Sequence, residues 1–314
     1  MNTREIGCED LGLAIDDLRR EGFRLDAIYP ADDPKCAVMS RAGESIRVAV
    51  ADAPPPPDGL PPFVPDYLLT RGGAGSSAGR AGMLYRDLIP GRLGGRYIAS
   101  HITIPDGGPV GDWVHYHRIA LQIIIVVSGW VRVVYEGQGP SFVMEAGDMV
   151  LQPPLIRHRV LESSPGLEVV EISAPALHET FADHDVDLPS EAPFVRSFGH
   201  QRFLWHRASK SKWTPFGAAQ ALETEMGEAT GGLADVRLLR SGCADRMEFA
   251  PHPGELVFGF VIQGTARLGN DELSPACAFV IPPAMGWVLS RMSPEFELLH
   301  LTTARLDASA HWLL

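Results

Sequence analysis

From Tyr97 onward, apolar residues fall in short runs, YIASHITI, QIIIVVSGWVRVVY, FVMEAGDMVLQPP and HRVLESSPGLEVVEIS, each bounded by Gly, Pro or Ser. Runs of this length, rich in Val, Ile and aromatic residues, predict β-strands of a sandwich or barrel. A second set follows: ADVRLLRSG, ELVFGFVIQGTARLG, AFVIPP and WVLSRMSPEFELLHLTT. It reads as a copy of the first.

Spacing supports the repeat. His117 precedes Gly129 by 12 residues, as His252 precedes Gly264, and Pro153 precedes Leu167 by 14, as Pro282 precedes Phe296. Only the hairpin between these blocks changes length, 24 residues from Gly129 to Pro153 against 18 from Gly264 to Pro282. Length differences confined to a hairpin are expected of a duplicated β domain.

The N-terminal stretch has a different period. In EDLGLAIDDLRREG, residues 9–22, Leu11, Ile15 and Leu18 recur at helical spacing and Gly22 supplies a stop. FRLDAIYP and CAVMSRAGESIRVAV then read as short strands. This helix-and-strand unit faintly resembles half of a glyoxalase-type module without that family's metal ligands, and a structural role is expected. ADAPPPPDGLPP holds six prolines in twelve positions and TRGGAGSSAGR is rich in glycine, so residues 51–80 are expected to run over the surface as a linker. The predicted organisation is an α+β segment at 1–50, the linker at 51–80, one barrel at 81–185 and a second at 186–314.

With 314 residues, 45% hydrophobic and 21% charged, the chain has the composition of a globular protein with a sizeable core. A formal net charge of -12 disfavours neutralisation of nucleic-acid phosphates. A small-molecule ligand is expected instead. The charged N-terminus has no signal-peptide core and no run is apolar enough to span a membrane, so a cytoplasmic location is expected. Cys8, Cys36, Cys243 and Cys277 form no CxxC pair and are expected to be reduced thiols.

The candidate chemistry lies in HYHRIALQ. Side chains at i and i+2 of a strand share a face, so His115 and His117 point to one side. Gln122 is odd in spacing from His117, and a turn or bulge at Arg118–Ala120 must reset the parity before it can join them. His158 follows Pro153 by five residues on a later strand. One inward histidine is often a satisfied core residue, but three at these intervals each need a buried partner.

These residues resemble the two motifs of the cupin family. The first runs Gly, five residues, His, any, His, three or four residues, Glu, six residues, Gly. Here only three residues separate Gly111 from His115, Gln122 replaces the glutamate, and Gly129 closes the motif. The second runs Gly, five residues, Pro, any, Gly, two residues, His, three residues, Asn. Gly147, Pro153 and His158 meet it, with Leu155 for the glycine and Glu162 for the asparagine. The resemblance covers residues 83–180. It implies two tandem double-stranded β-helix barrels, a bicupin, with one divalent metal on His115, His117, Gln122 and His158. In the second copy the same spacing places Ala250, His252, Val257 and Trp287, so that site is expected to be degenerate.

An amide in place of the carboxylate leaves the ion its full charge, which favours an anionic chelating substrate. Nitrogen and oxygen ligands suit Fe(II), Ni(II), Co(II), Mn(II) or Zn(II), and Fe is favoured because the histidine-rich site and apolar barrel resemble quercetinase-like and diketone-cleaving cupins. A dioxygenase-type oxidoreductase is therefore expected, with a non-redox isomerase or lyase, or a non-catalytic ligand-binding bicupin, as alternatives. Trp113, Tyr116, His101, Arg132 and Glu171 are candidates to line the pocket, whereas Arg157 and Arg159 alternate with His158 and point away. His178 and His184, in HETFADHDVD, are expected in a solvated connector. The apolar strands QIIIVV and FGFVI suggest a homodimer, because barrels of this family often bury a sheet face between subunits.

Overall fold

The computed structural model describes residues 3–55, 59–73, 75–78, 82–190 and 198–306. The predicted architecture, mainly β with two tandem barrels and a small N-terminal α+β segment, is observed. In the first barrel one sheet carries His115–His117, Trp130–Tyr135, Phe142–Glu145, His158–Ser163 and Thr180–Ala182. The facing sheet carries Ile98–Ile104, Leu121–Ser128, Met149–Leu151 and Leu167–Ala174. The parity reset at Arg118–Ala120 is the corner where the chain leaves the first sheet for the second.

The second barrel repeats this plan, with Val257–Gln263 between Ala278–Ile281 and Glu297–Thr303, and Arg246–Phe249 against Trp287–Ser290. Alternation sorts each strand's residues between two destinations. Ile124 and Val126 face the first barrel's interior, while Leu121, Ile123 and Ile125 face outward. The outward residues pack with Phe258, Phe260, Leu299 and Leu301 of the second barrel in one core. The two apolar faces expected to bury against a second copy thus bury against each other, at roughly 1.5–3 kcal/mol for each large side chain.

The N-terminal segment is bound to the first barrel. Its helix, Leu11–Arg20, is capped by Asp10, whose carboxylate accepts from the Leu13 amide. Its strands include Thr3–Cys8, which the helical reading missed, and Arg24–Tyr29 pairs with Thr180–Ala182 next to His115–His117. The proline-rich stretch is also more ordered than a surface linker. Leu60 is buried in the shared core and Leu68–Thr70 adds an edge strand to Ala278–Ile281. Leu204–His206 joins the first barrel's sheet through Met149–Leu151, although it falls after residue 186. Residues 56–58, 74 and 79–80 of the stretch lie outside the described residues. Among the described residues no helix is long and apolar enough to cross a membrane.

The second barrel is filled where the first is hollow. Phe279 lies across Gly259, where a Cβ would come within 2.2 Å of the ring, and packs with Trp287, Leu289 and Phe296. Gly259 is required by this close approach.

Candidate metal centre

His115 begins one strand and His158 another, and the antiparallel register sets them directly opposite each other. Their rings lie 4.1 Å apart, and that of His117, two residues on, lies 5.1 Å from His115 and 5.2 Å from His158. One nitrogen of each falls within 4.8 Å of the other two, and all three side chains are buried. Among the described residues this is the one such cluster of three.

Outer contacts fix how each ring points. His115 Nδ1 is 2.7 Å from the Trp113 carbonyl and His158 Nδ1 is 3.1 Å from the Ile156 carbonyl, the same two-residue back-reach on both strands. Nδ1 must carry the proton to donate to a carbonyl, so Nε2 keeps its lone pair. The Thr180 hydroxyl is 3.0 Å from His117 Nδ1. Asp112 lies behind His115, its Oδ1 3.5 Å from Nδ1 and its Oδ2 accepting from the Val160 amide. Partners of this kind orient metal-ligating imidazoles, and three buried nitrogen donors are a set that fits a divalent first-row ion.

Gln122 lies in a directed chain of hydrogen bonds. The buried Tyr135 hydroxyl donates to Gln152 Oε1 at 2.9 Å, Gln152 Nε2 donates to Gln122 Oε1 at 2.7 Å, and Gln122 Nε2 donates to Glu171 Oε1 at 3.0 Å. Burial pushes the Tyr135 phenol up, so it stays a donor, and the carboxylate at the far end can only accept. Those two ends dictate both amide orientations. Gln152 Nε2 is also 3.1 Å from His158 Nε2. Gln122 Oε1 keeps a second lone pair beside its bond to Gln152, so it can serve as an oxygen ligand.

Gln152 and Asp112 went unnoticed in the sequence. Gln152 was within reach of the strand argument, since Val150 packs inward and Leu151 outward, which turns Gln152 inward again. Of the five second-rank candidates, Glu171 alone lines the cavity. Trp113 meets the His115 ring edge-on at 5.1 Å, and Tyr116 stacks on Phe181. Arg132 pairs with Glu162 near the surface, and His101 pairs with Glu168 at 2.8 Å. Arg157 points away as expected, pairing with Asp183 and lying over Tyr116.

His178 is a correction. The charged run around it reads as solvated, but its ring is buried and meets His117 edge-on at 5.4 Å. Burial holds its imidazole below the ordinary histidine range, against the opposing pull of Glu171 and Asp32. The strand Thr180–Ala182 is the physical reason, since pairing with His115–His117 draws the preceding residues under the barrel. His184 is half-buried, bonded to the Leu25 carbonyl at 2.7 Å.

Two cavities meet at the histidines. The first is lined by apolar residues, among them Ile102, Ile124, Val133, Met144 and Val169, with His117, His158, Gln122, Gln152 and Glu171 as its polar wall. The second is smaller and shares Tyr85, His117 and Glu171 with it. In the second barrel the rung matching His115 and His158 holds Phe249 and Trp287, stacked 3.8 Å apart at 4°. Phe249, rather than Ala250, is thus the counterpart of His115. His300 stands at the place of Glu171, paired with Gly259 as Glu171 is with Ile124.

No family model and no curated protein matches the chain. Solved structures do. A serine-to-alanine variant of Bacillus subtilis oxalate decarboxylase, a bicupin, superposes with a TM-score of 0.57 at 12% identity, over 79% of this chain and 80% of that chain. A tryptophan-to-phenylalanine variant gives 0.56 at 12%, over 80% and 81%. A third structure of that enzyme, described for its Mn(II) centers, gives 0.56 at 12%, over 80% of both chains. The chain has the bicupin fold.

Proposed function

We propose that this bicupin is a metal-dependent enzyme in which His115, His117 and His158, with Gln122 as a fourth ligand, hold one divalent transition metal ion and present it to a small anionic substrate with an apolar body. The observation that carries the reading is the convergence of three buried imidazoles on the wall of an otherwise apolar cavity. Oxalate decarboxylase, which shares the fold, is an enzyme of a small dianion and has Mn(II) centers. Bound here, the ion supplies Lewis acidity for an anionic oxygen and, as Fe(II), a path for electrons to O2.

The chain's own groups set the rest. Apolar walls exclude water and hold the substrate body, and neutral ligands leave the ion its charge for an enolate or carboxylate. Glu171 is the carboxylate of the cavity and the group positioned to take or return a proton. The apolar cavity favours a dioxygenase-type oxidation of an enolisable substrate, with Fe(II) as the ion and O2 as co-substrate. Glu171 favours the second reading, a non-redox lyase or isomerase reaction with Mn, Zn, Ni or Co. Cytoplasmic location is part of the proposal.

Elemental analysis of protein purified without added metal, beside His158→Ala, tests the centre. Near-stoichiometric metal that disappears in the variant supports it, and its absence from the parent protein refutes it. Substrate-dependent O2 uptake selects the oxidative reading; turnover under strict anaerobiosis selects the other.

A further inference from the structure

The smaller cavity adjoins the apolar one at Tyr85, His117 and Glu171 and differs in chemistry. Its wall includes Asp32, Ser100, Glu171, His178 and Thr180. Asp32 comes from the N-terminal segment, which therefore closes this side of the barrel. Its carboxylate is neutralised by Arg92, 2.5 Å away. No Lys or Arg lines the cavity among the described residues.

His178 marks the cavity as a built site. Its Nδ1 is 3.0 Å from the Pro175 carbonyl, so the proton sits on Nδ1 and Nε2 is an acceptor. That Nε2 is buried and without a hydrogen-bond partner, on a side chain only 4% exposed. A buried polar atom left this way costs about 1–3 kcal/mol, which a bound donor recovers. The His178 acceptor and the Glu171 carboxylate, with Asp32 already paired to Arg92, make a small chamber that disfavours an anion and receives an N–H or O–H group.

Resting on the metal-centre reading above, we infer that this chamber recognises a hydrogen-bond-donor group of the substrate, a hydroxyl or a primary ammonium, while the substrate's anionic end meets the ion at His117. His178 Nε2 and Glu171 are the accepting atoms, and Asp32 completes the wall. The substrate class is then a hydroxy acid or amino acid with an apolar body, in preference to a plain or a dibasic acid.

The test uses Co(II)-loaded protein and follows its visible absorption on titration with butyrate, succinate, and butyrates bearing a hydroxyl or an amino group at carbon 3 or 4. At least one donor-bearing acid is expected to bind tenfold or more tightly than butyrate and succinate, and the hydroxyl and amino arms identify which donor the chamber takes. That preference should fall below twofold in His178→Phe and stay within threefold of the parent value in His178→Gln, which retains an acceptor oxygen. If butyrate shifts the spectrum but no donor is preferred, or if His178→Phe keeps the preference, the inference is overturned while the metal reading stands. Protein that takes up no Co(II), or a spectrum that no carboxylate shifts, overturns the parent reading and this inference with it.

Discussion

His115 and His158 stand directly opposite each other on neighbouring antiparallel strands, ring to ring at 4.1 Å, where the second barrel places the stacked pair Phe249 and Trp287. The same rung carries chemistry in one barrel and packing in the other. For His158→Ala, metal content should fall well below one ion per chain. The parent protein should lose thermal stability on chelation, since an ion at a hundred times its dissociation constant stabilises by about 2.7 kcal/mol. Plasma mass spectrometry and melting curves with and without chelator check both.

Gln122 meets Glu171 through a neutral amide that donates to the carboxylate. Gln122→Glu would set two carboxylates where Gln122 Nε2 now donates to Glu171 at 3.0 Å. One of them should be driven above its ordinary pKa. Native protein then binds more protons than unfolded protein, so metal-free stability should fall as pH rises above about 4.3. A bound ion relieves the repulsion, and the variant's metal-induced shift in melting temperature should exceed the parent's.

Arg96 of the first barrel meets Glu255 of the second in a buried bidentate pair, at 3.0 and 2.7 Å. Tyr97 donates to the same carboxylate at 2.8 Å, and Arg96 also donates to the Leu306 carbonyl. Removing one partner of a buried pair leaves the other charge uncompensated. Glu255→Leu should cost about 3–5 kcal/mol in urea unfolding, and Arg96→Met with Glu255→Leu together should cost less than Glu255→Leu alone.

Gly259 makes room for Phe279. Gly259→Ala puts a methyl within 2.2 Å of that ring, and overpacking of this kind costs about 1–3 kcal/mol. The loss should be read in the urea midpoint, with the metal content of the first barrel unchanged.

His300 supplies a pH dependence away from the candidate metal centre. Burial, then Arg237 and His252, hold its imidazole down to about 3. The unfolded chain therefore takes up a proton near pH 6.5 that the native protein refuses. Stability from this group is complete above about pH 6.5 and is lost as pH falls towards 3, at a slope of up to about 1.4 kcal/mol per pH unit. His300→Gln should flatten that acid limb in denaturation measured between pH 4 and 7.

The period-2 runs, the turn residues and the repeat spacing determined two β barrels, and the interval between His115 and His117 determined that both face one side. Those are local properties of a strand, readable without knowing its neighbours. Sheet pairing decided the rest. Register across strands put His158 opposite His115, 43 positions earlier, placed Phe249 in the matching rung of the second barrel, and drew His178 out of a charged run into the interior. Packing decided that the outward faces of Leu121–Ser128 and Val257–Gln263 bury against each other, and that Leu60 and Leu68–Thr70 of the proline-rich stretch are held. Composition signals solvent for HETFADHDVD and a linker for ADAPPPPDGLPP because it counts residue types. Burial depends on which surface the chain happens to cross, and only the tertiary structure sets that.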